Sequence, residues 1–327
     1  MKRAIVIGCD VNGLGVIRSL GLKGFQIIAM SYNRTDFGQA SKYVYEKIKI
    51  PHPRTEEKEF IEFLVKNSHK WKGALIFDSN DDVLVSMSKN KAELADYYKI
   101  VAPEWDVLRV FIEKPETYRL AEKCSVPYPK TLLPKTLDEV FEIKDEITYP
   151  CILKPVLGHE FMSRFKSKNF EVNNRDELLS KFELCLESRY EIMIQEIIPG
   201  PDSNIYQCIV YINSEGYINA RFLDRKLRQN PPKFGVARVA ISEDGISQVE
   251  EFTETMLKEV NFRGIAHSEF KKDPRDNRFK LMEINGRTSR SNWLATYCGV
   301  NFPWIAYMDL VEKKQIEVKD YKKVYIG

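Results

Sequence analysis

The stretch Gly264–Arg287, GIAHSEFKKDPRDNRFKLMEINGR, constrains this chain more than any other. Two runs that alternate with the period of a strand flank Asp273-Pro-Arg-Asp-Asn277, a dense cluster of turn formers. A loop from Pro274 to Arg278 pairs Asp273 with Phe279, Lys272 with Lys280 and Glu269 with Glu283. Side chains repeat every second residue, so Glu283, Asn285 and Arg287 then share one face beside Glu269. Carboxylates opposite each other on neighbouring strands sit ~5 Å apart and repel. Cations between them relieve that repulsion, and two carboxylates with an amide oxygen are hard ligands that suit Mg²⁺. Taken alone, the stretch also fits an exposed hairpin carrying ordinary surface acids. A one-residue slip would carry Glu283 to the opposite face.

The first hundred residues alternate strand and helix. Strands are expected at 4–8, 26–30, 73–77 and 99–101 and helices at 56–67 and 82–97, which implies a parallel sheet. Gly8, Gly13 and Gly15 do not have the G-x-G-x-x-G spacing, and the second strand runs into Met30-Ser-Tyr-Asn33 without an acid for a ribose. A tight strand-to-helix turn is therefore expected there rather than an NAD site. Asp10, Asn12 and the Phe77–Asp82 loop lie at carboxyl ends of strands, where small ligands bind, although Asp78, Asp81 and Asp82 also suit helix caps.

Composition excludes several classes. A chain of 327 residues is long enough for two or three domains, and 43% hydrophobic with 30% charged residues is ordinary for a soluble protein. The formal charge of +3 is close to balance and argues neither for nucleic acid nor for a membrane surface. There is no 18-residue apolar run, and Met1-Lys-Arg leads into AIVIG with no signal-peptide layout. Six cysteines without CxxC spacing and four histidines disfavour zinc and disulfides. A cytoplasmic location is expected.

In the middle of the chain Lys114 opens a helix over 112–123, with Pro115 in its first turn, followed by the proline-punctuated link Cys124–Thr131. A short helix is expected at 136–147. Lys154 sits within the strand Tyr149-Pro-Cys-Ile-Leu-Lys-Pro155, where a snorkelling edge lysine is one reading and a ligand-facing one the other. A basic loop, 156–168, carries His159. Strand, helix and strand follow at 170–172, 176–188 and 191–195, and Pro199-Gly200 makes a hinge.

Further on, strands at 204–212 and 217–223 pair around Asn213–Gly216, and Arg221–Lys233 is basic, with Lys226 and Arg228 on one strand face. That cluster fits a solvated face, a nucleic-acid patch or a phosphate clamp, and the lack of interleaved aromatics weighs against the second. A helix over 249–260 feeds the acidic hairpin, and the aromatic-rich 292–310 reads as a core helix.

Taken in order, these stretches form a pattern. Lys114, Tyr149-Pro-x-Ile-x-Lys-Pro155, Gln195-Glu-x-Ile-Pro-Gly-x-Asp202, Glu269 and Glu283-x-Asn-x-Arg287 together resemble the ATP-grasp superfamily. The resemblance covers about residue 100 onward, and residues 1–110 are similar to the Rossmann-like domain that precedes it. Lys154–Phe161, Arg225–Pro232 and the hairpin resemble the carboxylate–amine ligases of the D-aspartate ligase type. The resemblance implies an α/β and α+β fold with a Rossmann-like unit at 1–112, a lid lobe at 113–196 and a large lobe at 197–327. It implies that Lys114, Lys154 and His159 meet ATP phosphates, that Gln195, Glu196, Ile197 and Ile198 meet adenine, and that Asp202 meets the ribose. Glu269, Glu283 and Asn285 would hold two Mg²⁺ ions, with Mn²⁺ as an alternative, and Arg287 with Lys226 or Arg228 would face the γ-phosphate and an acyl phosphate.

Three departures stand out. His159, Glu160, Met162 and Arg164 occupy a flap that is glycine-rich in many members, Gly286 stands where proline is common, and little chain follows the Glu-x-Asn-x-Arg strand.

The chemistry fits the residues independently. A carboxylate is a poor electrophile until ATP converts it to an acyl phosphate, and phosphoryl transfer asks mainly for positioning and charge neutralisation. The expected activity is ATP-dependent joining of a carboxylate to an amine, one of them an amino acid, in a homodimer. Alternatives are a bicarbonate-using carboxylase of the same superfamily or a non-catalytic nucleotide-binding protein.

Overall fold

The computed structural model describes residues 2–143, 146–157, 161 and 164–326. Its N-terminal part alternates β1 (Arg3–Ile7), α1 (Val11–Gly21), β2 (Gln26–Ser31), β3 (Val44–Lys49), α2 (Glu57–Lys66), β4 (Leu75–Asp78), α3 (Asp81–Lys89), α4 (Lys91–Leu94) and β5 (Lys99–Ile100). The strands form one parallel sheet in the order β3-β2-β1-β4-β5. β1, β2 and β4 are continuous apolar runs, as strands buried on both faces must be. The edge strand β3 has no such run, since Val44, Glu46 and Ile48 alternate with more exposed neighbours, and so it escapes a search for buried strands. The helix expected over 82–97 is two helices. Asn90 Nδ2 donates to Ser86 O at 2.9 Å and closes the first one.

The middle of the chain contains α5 (Trp105–Ile112), α6 (Lys114–Lys123), β6 (Thr131–Leu132), α7 (Leu137–Ile143), β7 (Cys151–Pro155), β8 (Phe170–Val172), α8 (Arg175–Glu187) and β9 (Ile192–Glu196). Its antiparallel sheet runs β6-β9-β7-β8. A third sheet collects β10 (Ile205–Ile212), β11 (Ile218–Asn230), β12 (Val236–Glu243), β13 (Gly264–Lys272), β14 (Phe279–Asn285) and β15 (Tyr325–Ile326), with α9 (Ser247–Glu259), α10 (Asn292–Cys298) and α11 (Phe302–Leu310). Its order is β14-β13-β10-β11-β12-β15. The helix expected over 292–310 breaks at Gly299, whose φ of 113° ends α10 in the left-handed region. Asn301 then caps α11 by accepting from Trp304 N at 3.0 Å.

Apolar packing joins the first and third sheets. Val6, Ile27 and Phe77 share one cluster with Ile209, Phe222 and Ile265, wedged together by α10 and α11. The β6-β9-β7-β8 sheet has a separate core around Phe161, Val172 and Phe182. α6, expected on the lid side of a boundary at 113, buries Leu120 and Ala121 against the third sheet.

The turn after β1 is steric in origin. Asp10 Oδ1 accepts from Asn12 N at 3.0 Å and Gly13 N at 3.1 Å, capping α1. A Cβ on Gly13 would lie 2.0 Å from Gly8 O, and Gly8 has a φ of 80°. Gly13→Ala should therefore destabilise the fold by about 2–3 kcal/mol in denaturant unfolding, while NAD(H) leaves the melting temperature unmoved. A Gly13→Ala variant as stable as the parent would contradict this packing.

Candidate functional site

The hairpin forms with one correction to its register. Lys272 pairs with Phe279 and Lys271 with Lys280, one step away from the expected alignment. A bulge between Glu269 and Phe270 absorbs one residue and restores Glu269 opposite Glu283 and His267 opposite Asn285. The shift originates at the turn, where Asn277 N donates to Asp273 O at 2.8 Å and Asp273 N to Arg278 O at 2.9 Å. Asp273 is buried and bound by Arg275 and Lys280, which hold its carboxyl well below the usual range. The loop is thus a closed ion-paired knot, and the bulge keeps the two acids together in spite of it.

Lys226 of β11 reaches across to Glu269, with Nζ 2.6 Å from Oε2, and Gln207 Nε2 donates to the same oxygen at 3.1 Å. Burial pushes the Glu269 carboxyl up, and Lys226 opposes it. The protein around Glu283 also disfavours its ionisation, but Lys226, Lys154 and Arg287 outweigh that and hold its carboxyl low while the side chain opens onto the cleft. Asn285 Nδ2 donates to Glu283 Oε1 at 3.3 Å. Arg287 binds Asp81 of the N-terminal part, Nε to Oδ1 at 2.6 Å and Nη2 to Oδ2 at 3.3 Å. Asp81 is free for this because Asn80, not an aspartate, caps α3 by accepting from Val83 N at 3.2 Å.

Lys114 Nζ donates to Pro155 O at 3.3 Å and Val156 O at 3.1 Å, so α6 grips the end of β7. Burial and neighbouring Lys154 push its ammonium down to about 8, against the pull of Glu283 and Asp81. Lys114, Lys154, Lys226 and Arg287 therefore converge on Glu269, Glu283 and Asn285 from four separate elements and loops.

The other expected contacts lie around the hinge and are occupied within the protein. Gln195 is buried and donates to Tyr118 Oη and Thr131 Oγ1, each at 2.8 Å, and its Oε1 has no partner among the described residues. Glu196 accepts from Arg275 at 2.8 Å and from Lys130 N at 2.9 Å, tying the hinge to the hairpin knot. Ile198 is buried and Ile197 partly so. Asp202 accepts from Gln229 N at 3.2 Å and Nε2 at 2.8 Å. Arg228, expected on one face with Lys226, is exposed while Lys226 is buried, because two register shifts in β11 interrupt the alternation there. His159 lies outside the described residues.

Three residues of this face were not singled out from the sequence. Gln207 supports Glu269, and its Oε1 accepts from Ser291 Oγ at 3.2 Å. Asp224 is fully buried, and burial pushes its carboxyl up to about 7 beside Ser291, Lys226 and Glu269. His267 is buried, neither ring nitrogen has a partner among the described residues, and burial pushes it down to about 3. The signal was alternation, since 267 shares parity with 269, and 224 with 226.

Lys226→Met removes the cation that compensates Glu269. Burial holds the Glu269 carboxyl above its unfolded value, so ionising it opposes folding, and that cost is absent at low pH and grows as pH rises through the folded value. The variant should lose about 3 kcal/mol at pH 8 and clearly less at pH 5, measured as unfolding free energy against the parent. Equal losses at both values would contradict the pairing.

No protein-family model matches the chain. It is 26% identical over 328 residues to D-aspartate ligase of Enterococcus faecium, covering 95% of this chain and 77% of that protein. Its fold superposes on the ADP complex of an N5-carboxyaminoimidazole ribonucleotide synthetase with a TM-score of 0.76 at 13% identity, covering 99% of this chain and 80% of that one. An L-amino acid ligase from Bacillus licheniformis superposes with a TM-score of 0.71 at 15% identity, over 95% and 74% of the two chains. Among the described residues no helix is long and apolar enough to cross a membrane. The chain has the ATP-grasp fold of these enzymes and is similar in sequence to D-aspartate ligase along 95% of its length.

Proposed function

We propose that the protein uses Mg·ATP to join the carboxylate of one small molecule to the amine of another, at least one of them an amino acid, in the cleft between β7 and the β13–β14 hairpin. The observation that carries this reading is the convergence of Lys114, Lys154, Lys226 and Arg287 on the facing acids Glu269 and Glu283. Four cations around two carboxylates and an amide leave a net positive, oxygen-lined site, and such a site suits a polyphosphate with its metal.

Glu283, Asn285 and Glu269 would hold two Mg²⁺ ions. Their oxygens are the hard donors that this ion takes, Glu283 opens to the cleft, and the charge on Glu269 is already balanced by Lys226. Bound there, Mg²⁺ neutralises charge on the β- and γ-phosphate oxygens. Lys154 grips the phosphates from the β7 sheet and Lys114 from α6, and Arg287, oriented by Asp81, holds the transferring group. An oxygen of the acid attacks the γ-phosphorus and ADP leaves. The amine nitrogen then attacks the acyl carbon, loses a proton and displaces inorganic phosphate. Adenine lies against the β9 hinge at Gln195–Ile198, where the Gln195 Oε1 has no partner among the described residues, and Asp202 meets the ribose. Neither step needs a nucleophilic side chain, and the six cysteines fit that, since the buried ones are pushed up by burial, Cys9 to about 12. Pairing of two copies and a cytoplasmic location belong to the same proposal.

The test is release of ADP and phosphate from Mg·ATP across pairs of acids and amino acids, with mass detection of the amide. Turnover should require both an acid and an amine, and Glu283→Gln should lower kcat by about 100-fold or more with the melting temperature retained. Turnover stimulated by bicarbonate alone, or full activity in the Glu283→Gln variant, would contradict the proposal.

A further inference from the structure

The strand register lays one row of side chains across the large sheet. Ser242 of β12 pairs with Asp224 of β11, Asp224 with Gln207 of β10, Gln207 with Glu269 of β13, and Glu269 with Glu283 of β14. Residues paired in this way share a face, so the row holds three acids, of which the reading above uses only Glu269 and Glu283. Asp224 is fully buried, and neither of its oxygens has a hydrogen-bond partner among the described residues. Ser291 faces it, but that hydroxyl donates to Gln207 Oε1 at 3.2 Å, and Gln207 Nε2 donates in turn to Glu269. A buried carboxyl with no partner is costly to the fold.

Lys226 is the cation placed to serve it. The two residues alternate onto the same face of β11, ~7 Å apart along the strand, and Lys226 already acts on the Asp224 carboxyl from there. Lys226 is itself buried, with Nζ 2.6 Å from Glu269 Oε2, an oxygen that also accepts from Gln207 at 3.1 Å. Glu269 is one of the acids proposed for Mg²⁺. A divalent cation and an ammonium on one carboxylate lie within a few ångströms and repel, so the two compete for Glu269. An ammonium displaced inside the protein needs another anion. Glu283 takes the same metal, which leaves Asp224 as the acid of the row open to the lysine. Burial pushes its carboxyl up to about 7, so near neutrality it holds a proton when alone and yields it to solvent when an ammonium arrives.

We propose that Asp224 is a second station for Lys226, and that the lysine ammonium passes along β11 from Glu269 to the Asp224 carboxylate when Mg²⁺ occupies Glu269. The inference rests on the ligase reading above. Asp224 is a positioning residue, acting through Lys226 rather than touching nucleotide or substrate. The move clears Glu269 for the metal without stranding an ammonium in the interior, and it keeps the lysine inside the site as one of the cations around the phosphates. Gln207, bonded to Glu269 on one side and to Ser291 on the other, holds the row in register while the lysine changes partner.

The test is calorimetric titration with Mg·ADP at pH 7 of the full chain and of Asp224→Asn, with ADP in chelator as the control and unfolding free energy without nucleotide as the check on structure. Burial holds the folded Asp224 carboxyl above its unfolded value, so ionising it opposes folding, a cost absent at low pH and largely in place by pH 7. The amide removes that charge, so the variant should unfold no more easily than the parent. Its affinity for Mg·ADP should fall about tenfold, with binding of ADP in chelator unchanged, because the displaced ammonium has no anion to reach. A crystal structure of the parent with Mg·ADP should place Lys226 Nζ ~2.8 Å from an Asp224 oxygen and away from Glu269. Lys226 still on Glu269 in that complex, or a variant that loses stability yet binds Mg·ADP as tightly as the parent, would overturn the inference and leave the ligase reading standing. Failure of the parent to bind Mg·ADP would overturn both.

Discussion

The ion pair between Lys226 and Glu269 is the interaction on which the rest of the site depends. Two carboxylates fixed opposite each other on adjacent strands would repel, and the strand register gives them no room to part. A lysine from β11, two strands away from β13, settles the inner acid at 2.6 Å. That leaves Glu283, at the mouth, ionised and open. The protein therefore holds the acid pair together with a direct ion pair on the inner acid and with Lys154 and Arg287 at longer range around Glu283.

That arrangement needs three elements that are distant in sequence to be fixed against one another. The β10–β11–β13–β14 part of the large sheet supplies the acids and their partners, and one apolar core shared with the parallel sheet fixes the N-terminal loops beside it. Asp81 uses that fixity, crossing 206 residues of sequence to orient Arg287. The sheet carrying Lys154 has its own core, and its links to the rest are polar. They include Lys114 on the β7 carbonyls, Gln195 on Tyr118 and Glu196 in the Arg275–Lys280 knot. In the proposed reaction this lobe would carry Lys154 to the phosphates.

Much of this was legible in the sequence because period-two alternation and turn chemistry are local. Glu269 and Glu283 were expected to face each other, and they do, although by compensation. The turn shifts the pairing by one residue and the bulge shifts it back. Lys114 and Lys154 carried weak local signals that only their order made informative. What was not legible depends on tertiary contact. Nothing local to Asp81 says that Asn80 will take the capping role and leave it for Arg287. Gln207 sits in an apolar run and reads as a strand residue until its partner Glu269 is known. Likewise β3 alternates as an edge strand does, and Arg228 leaves the face of Lys226 because of register shifts that no residue of β11 announces.

The proposed chemistry places phosphates and cations at the β13–β14 hairpin. A crystal structure with Mg²⁺ and a non-hydrolysable ATP analogue tests it most directly. It should place ions ~2.1 Å from carboxylate oxygens of Glu283 and Glu269 and from the Asn285 amide oxygen, with the terminal phosphate between Lys154 and Arg287. Phosphates lying away from this hairpin, or Glu269 and Glu283 turned to opposite sides of the sheet, would contradict it.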